Sequence, residues 1–217
     1  MITLITRKNF TKYSNLLEKV YRFRHDFFVD HMKWENLRRP DSREIDEFDT
    51  VEAIHIVDVK DDQIAGYTRL LPTTRPHLLS HVYPELLQGA QEPVGPDIWE
   101  WTRAAVAPRR RDSRSATDSA PGRMYASVVE TCFLFGIRGL VVQTSPLLLT
   151  RVIGLGFDPR PLALPMEHRG RLIVPFYTEP TDRTLATIRR VFELHGPVLS
   201  QPATEETFVP PRGERRP

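Results

Sequence analysis

Apolar side chains recur with a clear period near the start of the chain. Between residues 11 and 30 they return at steps of three and four, which is the spacing of one helix face. These side chains are Tyr13, Leu16, Leu17, Val20, Phe23 and Phe27. Residues 31–50 keep no period and are rich in charge, although they include Trp34 and Phe48. The pattern predicts an amphipathic helix over 11–30, followed by a long ordered loop of the kind that carries function.

The rest of the chain alternates strand-like and helix-like runs. Two apolar runs separated by a charged turn, 53–59 and 63–71, predict a β-hairpin. The later predicted elements are a short helix over 73–88, a strand over 98–106, a helix over 123–136, a strand over 139–144, a helix over 146–155, a strand over 171–177 and a helix over 181–195. Early antiparallel strands and a later strand–helix–strand unit predict an α/β protein, a three-layer sandwich around a mixed sheet.

Length and composition fit this fold class. The chain has 217 residues, of which 40% are hydrophobic and 27% are charged, and these values are typical of one globular domain. We assign that domain to residues 1–197 and expect the proline-rich residues 198–217 to form a disordered tail. Because the formal net charge is +2, the total charge gives no argument for a nucleic-acid partner.

Cysteine content, histidine spacing and hydropathy limit the disulfides, the metal sites and the cellular location that can be expected. A single cysteine, Cys132, excludes an internal disulfide and a cysteine-based zinc site, and its helical context favours a place in the core. His77 and His81 lie one helical turn apart without an evident third ligand, so no metal site is predicted. The sequence shows no signal-peptide core and no uncharged apolar stretch of about 18–20 residues, which predicts a cytoplasmic protein without a membrane span.

Common catalytic motifs are missing, whereas arginines and carboxylates recur at particular places. Glycine-rich nucleotide loops, the GxSxG elbow and HExxH are all absent from the sequence. Arg69 and Arg103 fall in otherwise apolar strands, where an unpaired buried charge is costly, so each must meet a carboxylate or a ligand. The available partners include Asp46, Asp49 and Glu100. From spacing alone, a structural salt-bridge network and a binding site for a charged substrate both remain open.

Four segments, in order and with compatible gaps, carry a family resemblance. They are the set Arg24, Phe28 and Trp34, the acidic run E-I-D-E-F-D at 44–49, G-Y-T-R-L-L-P-T-T at 66–74, and W-E-W-T-R at 99–103. Over residues 7–178 this arrangement resembles the acyl-homoserine lactone synthases, the bacterial autoinducer synthases of quorum sensing. Thr102 stands where the family most often has serine, and Tyr83 where it usually has phenylalanine.

The resemblance implies a fold and a reaction. The fold is similar to that of the N-acetyltransferases, in which two central strands splay apart and admit a pantetheine arm. The reaction joins the α-amine of S-adenosylmethionine to the acyl group of a thioester, after which the carboxylate of S-adenosylmethionine closes a lactone and methylthioadenosine leaves. S-adenosylmethionine is thus a substrate, and the resemblance implies no other cofactor and no metal.

Candidate roles follow for the residues of the four segments. S-adenosylmethionine carries an ammonium, a carboxylate, a sulfonium and an adenine, so its site needs a cation, carboxylates and an aromatic wall. The residues expected to bind it are Arg24, Phe28, Trp34, Asp46, Asp49 and Arg103. The amine must lose a proton before it attacks, and Glu100 is the first candidate for the base, with Asp46 second. Arg103 is also expected to act in catalysis, and Arg69 to complete the charged network.

One geometric conflict concerns the strand predicted at 98–106. Side chains alternate along a regular strand, so Arg103 should share a face with Trp99 and Trp101, whereas Glu100 should lie on the other face. If Glu100 and Arg103 serve one site, the strand must contain a β-bulge. We expect such a bulge; the alternative is that the two residues serve different sites.

The acyl donor has two expected contact regions. The arginine-rich stretch after the strand predicts a landing patch for an anionic acyl carrier, either an acyl carrier protein or coenzyme A. The patch residues are Arg109, Arg110, Arg111 and Arg114. A solvated loop would show the same charge pattern. The acyl chain is expected in an apolar tunnel lined in part by Met124, Val142 and Thr144, and the sequence assigns no chain length.

Three other functions are compatible with parts of the sequence. An N-acetyltransferase-like enzyme acting on another small amine would share the fold, but residues 109–115 lack the glycines of that class's pyrophosphate loop. A regulatory module that kept the fold would not need the whole charged set. A nucleic-acid binder is expected to show a basic helix with spaced polar residues, which the sequence lacks. The synthase is therefore the function that we predict.

Overall fold

A computed structural model describes residues 2–108 and 119–199 of the chain. The strands within these residues are β1 (Ile2–Ile5), β2 (Ile54–Lys60), β3 (Gln63–Pro72), β4 (Ile98–Val106), β5 (Gly139–Thr144), β6 (Arg160–Pro161), β7 (Met166–His168) and β8 (Arg171–Thr178). They form a sheet in the order β1–β2–β3–β4–β5–β8–β6, and β7 pairs with β8. Only the β4–β5 pair among them is parallel, so the sheet is mixed.

Five α-helices lie between or after these strands in the part of the chain that the structure describes. They are α1 (Ser14–Arg24), α2 (Leu78–His81), α3 (Ala120–Phe135), α4 (Pro146–Gly154) and α5 (Asp182–Val191). Three of them begin where a hydroxyl accepts a hydrogen bond from a free amide of the first turn, and the capping residues are Ser119, Ser145 and Thr181. Helix α3 is followed by Gly136, whose left-handed φ of 65° suits glycine.

Helices cover both faces of the sheet. On one face, α1 packs Leu17 and Val20 against side chains of β2 and β3 such as Val57. On the other face, α3 and α5 bury Val128 and Ile188 against the sheet in the main core cluster. The observed architecture is therefore the predicted three-layer α/β sandwich around a mixed sheet.

The parallel pairing of β4 and β5 is short. It joins Ile98 to Gly139, Trp99 to Leu140 and Glu100 to Val141, and then it stops, although both strands continue. The strands therefore diverge beyond Glu100 and open a gap within the sheet. We call this opened part of the β4–β5 boundary the wedge. It is the splayed geometry that the resemblance implied.

The long strands and helices are confirmed within a few residues, but the region between β3 and β4 is not. The helix predicted over 73–88 is wrong, because the chain forms only α2 there and then a 3-10 turn at Pro84–Leu87. Pro76 and Pro84 lack an N–H group and so limit helical hydrogen bonding on either side of α2. Strands β1, β6 and β7 were not predicted, since two to four residues are too few to show a period.

The helix predicted over 11–30 changes its winding partway. After α1 the chain continues as a π-helical segment, His25–His31, in which the Met32 amide donates to Phe27 five residues earlier. The Trp34 amide then donates to the carbonyl of Phe28 at 2.9 Å. π-Helical turns are frequent at functional sites because the wider turn re-aims the side chains that follow.

The described part of the chain extends slightly beyond the predicted domain end. Val198 and Leu199, which the prediction placed in the tail, pack against the main core. Both of their amides donate to the buried carboxylate of Glu130, at 2.9 and 3.1 Å. The remainder of the predicted tail, residues 200–217, lies outside the described residues. Among the described helices, none has the length and apolar character needed to span a bilayer.

Candidate functional site

The long loop between α1 and β2 presents three carboxylates to the sheet. The buried side chain of Phe48 anchors the loop against β3 and α2, and the Glu44 amide donates to the carbonyl of Tyr21 in α1 at 3.0 Å. A further hydrogen bond, from the Asp46 amide to Asp49 Oδ2 at 2.9 Å, shapes the acidic turn. The buried Phe48 and these two hydrogen bonds confirm that the loop is ordered, and they fix the directions of the carboxylates.

Two arginines from different elements reach these carboxylates. Arg24, at the end of α1, donates from Nε to Glu44 and from Nη1 to Asp49, both at 2.6 Å. Arg69, in β3, donates from Nη1 to both Asp46 and Asp49 at 2.6 Å, and from Nη2 to Asp46 at 2.8 Å. Both arginines are 0% exposed. Their charges are thus buried together with matching carboxylates, which offsets the cost of removing them from water.

A third arginine arrives through a β-bulge in β4. Arg103 and Ala104 together oppose the single residue Thr68 of β3, and Arg103 takes a left-handed φ of 55°. Its Nη2 donates to Glu44 at 3.0 Å and to Asp46 at 2.9 Å. The predicted bulge is therefore confirmed, and it turns Arg103 away from the face of Trp99 and Trp101 toward the loop carboxylates.

Together these side chains form a neutral network of three acids and three bases. We call it the charged network, and its members are Arg24, Glu44, Asp46, Asp49, Arg69 and Arg103. Burial raises the pKa of Glu44, but the charges of Arg103 and Arg24 outweigh it and hold the pKa at about 2. Burial also opposes ionisation of Asp49, yet Arg69 and Arg24 keep its pKa well below the ordinary value. Both carboxyls are therefore charged at neutral pH.

Side-chain exposure separates a buried interior of the network from a more accessible part, which we call the rim and which consists of Asp46 and Arg103. The side chains of Arg24, Asp49 and Arg69 are 0% exposed, whereas those of Asp46 and Arg103 are 17% and 8% exposed. Arg24 Nη2 lacks a hydrogen-bond partner within the described residues and lies 3.8 Å from Asp46 Oδ2. A bound molecule can therefore touch Asp46 and Arg103 directly, while the predicted contact of Arg24 and Asp49 with substrate stays a prediction.

An aromatic pair stands beside this rim. The rings of Phe28 and Trp34 are stacked, with centroids 4.9 Å apart and planes 26° apart. The guanidinium of Arg103 lies 5.7 Å from the ring centre of Phe28. Phe28 belongs to a buried cluster with Ala105 of β4, and Trp34 packs against that cluster. The predicted aromatic wall thus lies next to Arg103, beside the part of β4 that borders the wedge.

Glu100 occupies a different position from the network. It is the last residue of β4 paired with β5, so it marks the vertex of the wedge. Its two carboxylate oxygens accept hydrogen bonds from the amides of Leu78 and Leu79, at 2.9 and 2.7 Å, at the start of α2. The side chain is 0% exposed, and burial raises its pKa. Glu100 is therefore held rigidly and accepts a proton more readily than an exposed carboxylate.

The residues predicted to line the acyl pocket lie near the wedge. Met124 of α3 and Val142 of β5 belong to one buried cluster with Trp101 of β4, and Thr144 follows two residues later on the same face as Val142. Met124 also covers Gly66, where a Cβ atom would approach its Cγ to 2.6 Å. The structure thus places these apolar side chains together on the α3 side of the sheet, and their contact with an acyl chain stays a prediction.

All four arginines of the predicted landing patch lie outside the described residues. Arg109, Arg110, Arg111 and Arg114 lie in residues 109–118, which the structure does not describe. The nearby Arg123 donates to the buried carboxylate of Asp58 from Nη2 at 2.6 Å and from Nε at 3.0 Å. Arg123 therefore helps to hold α3 on β2, and the role of the other four arginines stays a prediction.

Sequence reasoning missed several members of the site. Glu44 pairs with two arginines, although only its position in the acidic run 44–49 pointed to it. Tyr21 and Tyr67 flank the guanidinium of Arg24, with ring centres at 5.7 and 5.6 Å. The Tyr67 hydroxyl also bonds to His55 Nδ1 at 2.8 Å, and burial lowers the pKa of His55 to about 3, so this imidazole is neutral. Alternation in β2 and β3 could have indicated that these residues face the same side as α1.

One group of side chains in the described residues has metal-ligand character. His25 Nδ1 lies 3.9 Å from Asp26 Oδ1 and 3.6 Å from Asp30 Oδ2. However, Arg38 already donates to Asp30 at 3.0 Å, so a cation of the protein occupies this carboxylate. The arrangement gives no argument for a metal ion, and the expectation that the protein needs none stays a prediction.

Comparison with known proteins assigns the fold to a class and then the chain to a family. A solved putative N-acetyltransferase from Lactobacillus plantarum matches with a TM-score of 0.51 at 14% identity, over 83% of this chain and 98% of the other, which supports the fold class alone. The model of the autoinducer synthase family matches residues 8–158. The chain belongs to the autoinducer synthase family.

Two similar proteins have a stated activity. An isovaleryl-homoserine lactone synthase from Bradyrhizobium diazoefficiens is 36% identical over 165 residues, which cover 76% of this chain and 73% of the relative. A solved coenzyme A-dependent acyl-homoserine lactone synthase, BjaI, with S-adenosylmethionine and isopentyl-CoA, matches with a TM-score of 0.83 at 32% identity, over 90% of each chain.

Proposed function

We propose that this chain makes an N-acyl-homoserine lactone from S-adenosylmethionine and an acyl-coenzyme A thioester, with release of methylthioadenosine and coenzyme A. One observation carries the proposal: the rim of the charged network and its aromatic pair lie beside the gap where β4 and β5 separate. A charged substrate can bind at that rim while a thioester arm enters the gap. Membership in the autoinducer synthase family supports the same pairing of substrates.

The rim matches the charges of S-adenosylmethionine. Asp46 is the most accessible acid of the network and suits the ammonium or sulfonium, whereas Arg103 suits the carboxylate. The stacked rings of Phe28 and Trp34 offer a face for the adenine or the sulfonium. We infer that Arg24, together with Asp49 and Arg69 beneath it, acts by holding the rim groups in place.

The chemistry requires two bond-forming steps. The neutral α-amine attacks the thioester carbonyl, and the coenzyme A thiolate leaves after the tetrahedral intermediate collapses. The carboxylate oxygen of the same molecule then attacks its own γ-carbon, and the C–S bond of the sulfonium breaks to release methylthioadenosine. The first step needs a base for the amine protons, and the leaving thiolate can take up one proton in turn.

Glu100 is the base that we favour over Asp46. Its pKa is raised by burial, and two backbone amides fix its carboxylate at the vertex of the wedge. The oxygens of Asp46 instead already accept hydrogen bonds from the guanidinium groups of Arg69 and Arg103. A residue of this kind is better suited to binding the ammonium than to removing its proton.

Paired variants distinguish the two carboxylates. Glu100→Gln should lower kcat by roughly 10²–10⁴-fold and flatten the rise of kcat with pH, because the base is lost. Asp46→Asn should chiefly raise the KM for S-adenosylmethionine and keep the pH profile. The circular dichroism spectrum of each variant checks that the fold is intact. If Glu100→Gln kept the wild-type pH profile, Glu100 could not be the base.

We propose a short, branched acyl group for the donor. The similarity to the isovaleryl-homoserine lactone synthase supports this choice. In this chain, the ring of Trp101 lies 6.0 Å from that of Tyr125 and 6.0 Å from that of Phe157, on the side of the sheet where the acyl pocket is expected. Three large rings leave less room for a long chain than small aliphatic side chains would.

A donor panel tests the proposed function. The purified protein is incubated with S-adenosylmethionine and straight or branched acyl thioesters of four to twelve carbons, each as the coenzyme A and the carrier-protein form. We expect methylthioadenosine and an acylated lactone, with isovaleryl-coenzyme A among the best donors. Acyl transfer to another amine with S-adenosylmethionine left intact would refute the synthase. Faster turnover with carrier-protein thioesters would refute the choice of carrier alone.

We also infer that the reaction needs no metal and takes place in the cytoplasm. Attack by an amine on a thioester requires a base and hydrogen-bond donors for the oxyanion, which the chain can supply. Both proposed substrates are cytoplasmic metabolites. Dialysis against a chelator should leave the rate unchanged, and a loss restored by one divalent cation would contradict this part of the proposal.

A further inference from the structure

The side chain of Arg171 reaches across the wedge, from β8 to the loop that packs beside β4. Arg171 begins β8, three residues before Val174, which pairs with Thr144 at the end of β5. It therefore lies past the end of β5, in the direction in which β4 and β5 separate. From there its Nη2 donates to the carbonyl of Met32 at 2.8 Å, in the loop packed against β4.

Arg171 also closes a stack of rings and guanidinium groups. Its Cζ lies 5.4 Å from the ring centre of Trp34. Trp34 stacks on Phe28, and Arg103 approaches Phe28 at 5.7 Å. Arg171 and Arg103 thus lie at the two ends of one aromatic pair, and a guanidinium near an aromatic ring restricts the positions that the ring can take.

We propose that Arg171 is a positioning residue, which holds the Trp34 segment against β4 and so sets the width of the wedge on the α1 side. Arg171 touches neither Asp46 nor Glu100 in the described contacts, so it acts through Trp34 and Met32. The consequence for catalysis rests on the proposed function, because Trp34 is expected to contact S-adenosylmethionine. The consequence for Trp34 itself does not, since it can be measured without any substrate.

Tryptophan fluorescence tests the positioning directly. Trp99 and Trp101 are only 6% and 7% exposed, whereas Trp34 is half-buried, so quenching by acrylamide reports mainly on Trp34. Arg171→Ala should roughly double the fraction of tryptophan fluorescence that acrylamide quenches. Trp34→Phe should remove most of this quenchable fluorescence. Arg169→Ala is the matched control, because Arg169 is an exposed arginine in the same β7–β8 turn. Unchanged quenching in Arg171→Ala would overturn the proposal.

Kinetics test the consequence for the reaction. Arg171→Ala should raise the KM for S-adenosylmethionine roughly two- to fivefold, the size expected when one exposed cation–π contact is lost, with kcat changed by less than about twofold. Arg171→Lys keeps the charge and a donor, and it should recover part of the loss. A fall in kcat at constant KM would overturn the positioning role. If the wild type made no lactone, the proposed function would fail while the fluorescence result still decided the role of Arg171.

Discussion

Replacing Glu44 by glutamine isolates the electrostatic contribution of one buried carboxylate to stability. Glu44 is 2% exposed and accepts hydrogen bonds from both Arg24 and Arg103. Its pKa of about 2, against an ordinary value of 4.5, corresponds to about 3 kcal/mol at 1.36 kcal/mol per unit. Glutamine keeps the shape but leaves two guanidinium groups with one acid fewer. We therefore expect Glu44→Gln to lower the free energy of unfolding by about 3 kcal/mol at pH 7.

The pH dependence of this difference gives a sharper test. The folded-state pKa of Glu44 is lower than that of the unfolded chain, so its contribution is complete above about pH 4.5 and fades as the pH falls toward 2. The difference between wild type and Glu44→Gln should shrink from about 3 kcal/mol at pH 7 to about 2 kcal/mol at pH 3.5. A matching decrease in Tm of about 6–12 °C is expected at pH 7.

Urea unfolding at several pH values measures both quantities. Glu35→Gln is the control, because Glu35 also pairs with an arginine, Arg38, but on the exposed surface, where such a pair contributes little. A loss below about 1 kcal/mol at pH 7, or a loss that does not change with pH, would show that charge pairing is not what Glu44 provides.

Two other substitutions test the packing around the site. Glu130→Ala removes the acceptor for the amides of Val198 and Leu199, so proteolysis should trim the C-terminal segment faster while the unfolding midpoint of the core moves little; unchanged trimming would contradict this. Gly66→Ala forces Met124 to move, because the new Cβ would approach its Cγ to 2.6 Å, so we expect a loss of about 1–3 kcal/mol in urea unfolding together with an altered donor preference. A stability loss without any change in donor preference would place Met124 outside the acyl pocket.

The parts of the fold that the sequence predicts well are those with long, one-sided patterns. The four longest strands, β2, β3, β4 and β8, were located within a residue at each end, because apolar runs bounded by turns are a strong signal. Helix α2 was overextended, since two prolines leave only one short turn between them. The two-residue strand β6 forms only through its pairing with β8, and two residues are too few for a hydropathy pattern to predict a strand.

For the site, sequence reasoning identified the residues better than it assigned their positions. It grouped Arg24, Asp46, Asp49, Arg69 and Arg103, and the structure brings all five into contact. It could not separate interior from rim, because exposure depends on packing from α1, β3 and the loop together. Arg171 was also out of reach, since its partners Met32 and Trp34 lie about 140 positions away in the sequence.

The bulge at Arg103 also determines which changes of length β4 can tolerate. One extra residue in β4 shifts the side-chain alternation by one step, much as an insertion shifts a reading frame. The side chains of Trp99 and Trp101, before the bulge, point into the core, whereas that of Arg103 points to the charged network. Deleting Ala104 would remove the bulge and direct the guanidinium toward the face of Trp99 and Trp101, away from its partners Glu44 and Asp46. The spacing between the tryptophans and this arginine is therefore fixed by geometry, and homologues that keep the network should show no insertion or deletion within residues 99–105.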